Sequence, residues 1–178
     1  LSKQHLDAIR KILDSEDQSY KHWIMRFIFF ILVSLLICNF SYAQKIERLG
    51  FYNLQEILED DNLTYKILKG CVSMNSAVTE VIKKDYPDLA NEFFQSANYL
   101  YPFGILVLKK VRKIEHKEAE KTYFFEVKNL TEDYVKFINE NGKENQSFFK
   151  GTFLGDDLNF CNEIRAAIEN SIKASKSN

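Results

Sequence analysis

Residues 63–81 read LTYKILKGCVSMNSAVTEV, and this stretch decides the fold class. Its apolar positions Ile67, Cys71, Met74, Val78 and Val81 are spaced 4, 3, 4 and 3 residues apart, the period of one helix face and not the alternation of a strand. Lys83-Lys84 closes the segment with charge that suits the negative end of a helix dipole, and Tyr86-Pro87 interrupts it. Toward the C-terminus, Pro87 suits the first turn of a second helix with Asp88 beside it, and Leu89, Phe93, Ala97 and Leu100 supply its buried face. Pro102-Phe103-Gly104 reads as the turn that ends it. A third segment, Ile105 to about Lys121, carries Val107, Val111 and Ile114 before a charged end. A fourth steps through Tyr123, Val127, Leu130, Tyr134 and Ile138, with Gly142 placed to take the left-handed residue after it. The last helix is expected to start at Asp156 or Asp157, either a good N-cap, and its inner stripe is Leu158, Cys161, Ile164, Ile168 and Ile172. The competing reading makes Lys121 to Lys128 a strand and Asn141-Gly142 a hairpin turn. Five segments of helical period outweigh one ambiguous run, so the expected fold is an all-α bundle of about five helices.

Upstream, Phe27 to Cys38 reads FIFFILVSLLIC, twelve residues without a charge, with Arg26 before it and Ser41-Tyr42-Ala43 after it. A basic start, a short apolar core and small residues at the −3 and −1 positions describe a secretory signal with cleavage after Ala43. The run is shorter than the roughly 20 residues of a spanning helix. Cys38 would allow a lipoprotein signal, but bulky Ile37 occupies the place of a small residue. Met25 is a natural start for such a signal, so residues 1–24 read as an upstream extension, 25–43 as signal peptide and 44–178 as the exported domain. The alternative is an uncleaved signal anchor behind a short cytoplasmic helix carrying Leu6, Ile9 and Leu13 on one face. Contact with a membrane is then confined to residues 27–38. Either way the bulk of the chain lies outside the cytoplasm, in the periplasm or secreted.

Cysteine usage fits that compartment. With Cys38 inside the signal, Cys71 and Cys161 remain, and an even count in an exported domain favours a disulfide over two buried thiols. Both fall on apolar helical stripes.

The chain has 178 residues, 46% of them apolar, with 24 Lys+Arg against 25 Asp+Glu. That composition suits one folded domain and supplies no basic face for a phosphate track, so nucleic-acid binding is not expected. Chemistry is narrowed by elimination. His116 is the one histidine after the signal, between Glu115 and Lys117, too few for a histidine zinc site and unsupported by any nucleophile motif. No phosphate-binding glycine loop and no C-x-x-C pair occurs, and no metal or cofactor is expected. The acidic groups Glu59-Asp60-Asp61 and Asp156-Asp157 sit where helices begin, where they stabilise the dipole. As an acid and base pair they would support the alternative of a carboxylate-dependent envelope hydrolase.

Aromatic residues are the remaining lead. They concentrate in Asn98–Phe103 and Ser147–Leu154, and both are read as loops at the bundle ends. Tyr99, Tyr101, Phe103, Phe148, Phe149 and Phe153 either bury their rings beneath the bundle or form a patch for a protein partner in the cell envelope. The layout, an exported helical domain bridged between an early and a late helix, is similar to that of the immunity proteins that protect against type VI secreted cell-wall amidases. The expected function is accordingly that of an interaction protein, such as an inhibitor, immunity protein or envelope adaptor.

Overall fold

The computed structural model describes residues 46–176, which belong to a compact unit running from Gln44 to Asn178. The expectations for residues 1–43, including the apolar run and the cleavage site, lie outside the described residues. Within them the fold is all-α: five helices and no strand. They are α1 (Leu54–Glu59), α2 (Asp61–Ile82), α3 (Pro87–Arg112), α4 (His116–Asn145) and α5 (Leu154–Lys176). No described helix is long and apolar enough to cross a membrane.

The 63–81 stripe forms the inner face of α2, around which the other helices pack. Ile67, Cys71, Met74, Ala77 and Val78 are all fully buried. α3 and α4 cover α2 most extensively, and α5 touches it more lightly. What fastens α5 is covalent: Cys71 and Cys161 are bridged, both fully buried, with Cα atoms 5.4 Å apart.

A second fastening involves Asp157, which is fully buried in the first turn of α5. Its carboxylate accepts hydrogen bonds from the backbone N–H groups of Leu49 at 2.8 Å and Gly50 at 2.9 Å. Arg48 adds a weaker, exposed ion pair to Asp156 at 3.2 Å. The segment before α1 is thereby strapped across the start of α5, and Leu49 enters the core. Asp156 or Asp157 was expected to cap α5. Instead the helix starts earlier, at Leu154, and the Asp157 carboxylate satisfies amides of the strap.

Other boundaries also differ from expectation. Pro102 does not end the second helix; α3 runs through it to Arg112. A proline removes the hydrogen bond to the carbonyl four residues back, here that of Asn98, but Asn98 and Pro102 both lie on the exposed face, where a freed carbonyl costs least. Gly104 contributes by packing: a Cβ there would sit 2.1 Å from the hydroxyl of buried Tyr123, so only glycine lets α4 approach α3 at that level. The break falls instead at Lys113, in the left-handed conformation at φ 53°, and the anticipated third segment divides between α3 and α4. At the far end of α4 the left-handed residue is Gln146 and not Gly142. Gly142 stays helical and serves as the seat of Phe148, whose ring would lie 2.9 Å from a Cβ. The run Lys121–Lys128 is helical, within α4.

Two measurements check this account. Replacing both cysteines by alanine should lower stability by about 2–5 kcal/mol, and reductant should then no longer move the denaturation midpoint. Asp157→Ala strips two amides of their acceptor and should cost about 2–4 kcal/mol in chemical denaturation. An Asp157→Ala loss of a few tenths of a kcal/mol would mean that water replaces the carboxylate and the strap is not fastened there.

Candidate functional site

A largely apolar groove lies between α1 and α5. Asn53 caps α1 by accepting the Glu56 N–H at 2.8 Å, and Asp60 caps α2 by accepting from Asn62 at 2.8 Å and Leu63 at 3.3 Å. The Thr64 hydroxyl donates to the Ile57 carbonyl, satisfying an open carbonyl at the end of α1 and pinning this one-and-a-half-turn helix to α2. With Ile57 turned inward at 3% exposure, Leu54 and Leu58 project outward at 43% and 70%. Opposite them, α5 presents Ile168 and Ile172 alongside a row of small residues, Ala167, Ser171 and Ser175. Ile67, Leu68 and Phe103 lie between the two walls. The resulting groove has a volume of about 350 Å³, in the range of ligand sites.

The acidic residues around α1 are mostly without basic partners. Asp61 pairs with Lys110 at 2.7 Å, whereas Glu56, Glu59 and Asp60 meet no cation among the described residues. One wall of the groove therefore carries an excess of negative charge.

A charged cluster occupies a different side, over α2, α3 and α4. Glu126 accepts hydrogen bonds from the Tyr65 hydroxyl at 2.6 Å, from Lys69 Nζ at 2.9 Å and from Arg112 at 2.6 Å. Burial alone would raise its pKa, but the donors from Tyr65, Lys69 and Arg112 together outweigh burial and hold it below the ordinary value. Beside it, Lys66 and Tyr52 donate to Glu47 at 2.6 and 2.8 Å and lower its pKa likewise. Tyr65 shifts the opposite way, upward, through burial and its bond to Glu126. Ionised carboxylates saturated with donors brace helices; a general acid needs the opposite shift.

The aromatic residues singled out in the sequence are all half-buried and distributed over two places. Tyr99, Tyr101 and Phe103 belong to α3 and not to a loop. Tyr99 packs on Phe103 with ring centres 5.7 Å apart, Tyr101 meets Tyr123 at 5.1 Å, and Phe103 lines the groove. Phe148, Phe149 and Phe153 occupy the connection from α4 to α5, where Phe153 stacks on Phe137 at 5.5 Å. His116 is exposed at the start of α4.

Leu54, Leu58 and the small-residue row of α5 escaped the sequence reading because α1 itself did. The signal was present: Asn53 followed three residues later by Glu56, just before Ile57 and Leu58, has the spacing of a helix start. Comparison with family models, with curated proteins and with solved structures finds no match. The reading of function therefore rests on physical chemistry.

Because the folded pKa of Glu126 lies below its unfolded value, its stabilisation is complete above about pH 4.5 and disappears as pH falls through the lowered value. Glu126→Gln should cost about 1–2 kcal/mol at neutral pH, allowing for solvent screening. Thermal melts should show the gap to wild type closing in acid. A gap constant from neutral to acidic pH would rule out the ionised cluster as its cause.

Proposed function

We propose that this chain is an exported interaction protein of the cell envelope, an inhibitor, immunity protein or adaptor, that holds an amphipathic helix of its partner in the groove between α1 and α5. The observation that carries the reading is the groove itself, flanked by Leu58 at 70% exposure. Contiguous apolar surface on a folded domain costs solubility and marks a place where another surface docks. The row Ala167, Ser171, Ser175 recurs every fourth residue, which keeps that wall low enough for a second helix to approach. From Ile164 to Ser175 the wall is roughly 17 Å long at 1.5 Å per residue, about three turns of a partner helix. Apolar residues at i, i+3, i+4 and i+7 would fill it, the usual reading of a helix in a groove. The uncompensated Glu56, Glu59 and Asp60 favour a partner helix with basic flanks.

Export is supported by two features of different kind. One is the apolar run Phe27–Cys38 with its small-residue exit. The other is the Cys71–Cys161 bridge, since such bonds persist in oxidising compartments and are rare in the reducing cytosol.

A photo-crosslinking residue at position 58 tests the proposal in cells producing the full chain. A discrete adduct should form in the envelope fraction, with Cys71 and Cys161 oxidised. Ile168→Asp should abolish that adduct, and so should high salt if the basic flank is right. Adduct formation unaffected by Ile168→Asp, or a cytosolic protein with both thiols free, would sink the proposal.

A further inference from the structure

A smaller crevice opens beside the charged cluster, between the strap and α4 and over α2, and it shares no residue with the groove. Its volume is about 250 Å³, below the usual range of drug-sized sites, so it selects a compact ligand. Three walls meet there. The strap contributes Ile46 and Glu47, α2 contributes Lys66 and Lys69, and α4 contributes Glu126, Asn129 and Leu130. Leu49, Gly70 and Tyr134 are buried and close the base.

The two lysines set this crevice apart. They stand three residues apart on one helix, so their ammonium groups reach it from the same wall. An ammonium has three N–H donors. Lys69 spends one of them on Glu126 at 2.9 Å, and Lys66 spends two, on Glu47 at 2.6 Å and on the Tyr52 hydroxyl at 3.0 Å. Two donors on Lys69 and one on Lys66 are left after the bracing bonds. Charge is left over as well. The bonded cluster holds three cations, Lys66, Lys69 and Arg112, against the two carboxylates Glu47 and Glu126, because Glu126 takes both Lys69 and Arg112. The side chains of Lys66 and Lys69 are 39% and 22% exposed, so neither is sealed off from a ligand while its bonds hold it in place.

These features together select the ligand. Like charges one turn apart on a helix repel, and an anion seated between them relieves both. A carboxylate suits the place: its two oxygens can take one N–H from each lysine, and its single charge matches the one cation in excess. Ile46 and Leu130, half-buried on facing walls, oppose a phosphate, whose remaining oxygens would lose water with nothing in return. A hydrocarbon body gains from the same walls. We propose that this crevice binds a small carboxylate with an apolar body, its oxygens bridging Lys66 and Lys69 and its carbons laid between Ile46 and Leu130. Two sources supply that chemistry, a free carboxylic acid and the apolar C-terminal residue of a peptide.

The test is a titration of the oxidised, nitrogen-15-labelled full chain with hexanoate and with N-acetylleucine, which stands for a peptide terminus; hexanamide and inorganic phosphate are the comparators. At least one carboxylate should give saturable millimolar shifts of the backbone amide signals of Gly70 and Leu130, weakened by high salt, and the tighter of the two identifies the source. Lys66→Gln and Lys69→Gln should each weaken binding about tenfold. Arg112→Gln removes a brace of Glu126 from outside the crevice; it should lower the melting temperature yet weaken binding only about twofold. The proposal is overturned if neither carboxylate shifts these signals at millimolar concentration, if hexanamide or phosphate binds as tightly, or if Arg112→Gln costs as much binding as the lysine variants, which would make the lysines braces alone.

Discussion

The bridge from Cys71 to Cys161 is the constraint on which the candidate groove depends. α5 lies only lightly on the rest of the bundle, and its second half, from Ala167 on, has no fully buried residue. A helix so placed would fray or shift against α2 without a covalent tie. The tie sits where it has most effect. One turn before Cys71 come Ile67 and Leu68 of the groove, and on α5 Ile164 of the groove follows Cys161 by three residues. The groove therefore draws residues from both helices joined by a cross-link that closes a 90-residue separation.

Polar interactions complete what the bridge begins, and burial decides which of them matter. The Asp157 carboxylate is fully buried and accepts two backbone amides, so removing it leaves donors orphaned in a dry site. The exposed pair Arg48–Asp156, next to it in sequence, is worth far less because water and salt compete with it. Glu126 stands between these extremes. Its value lies in number, since donors from α2 and α3 converge on one carboxylate of α4 and fix three elements to each other.

Most of the fold was legible because it was written in period. The stripe from Ile67 to Val81, the stripe from Tyr123 to Ile138 and the alignment of Cys71 with Cys161 on inner faces all follow from spacing, and the structure has them as helices and as a disulfide. What escaped was information held in tertiary context. Pro102 reads as a stop, and only the exposure of Asn98 and the notch that Gly104 makes for Tyr123 show why the helix continues. Gly142 reads as a terminator, yet its use is to receive Phe148. The candidate site was harder still. A groove between a six-residue helix and the outer side of the last helix has no period of its own.

The continuity of α3 through Pro102 also bears on the groove. Phe103 of the groove belongs to the same helix as Tyr99, on which it packs, whereas a turn at Pro102 would have separated them. The next residue, Gly104, lets Tyr123 of α4 approach α3 more closely than any side chain would allow, so the same stretch of helix that supplies the floor of the groove is seated against α4. The floor is thus set by close packing and the α5 wall by the bridge, two constraints of different kind that act within one turn of the apolar residues Phe103, Ile67, Leu68 and Ile164.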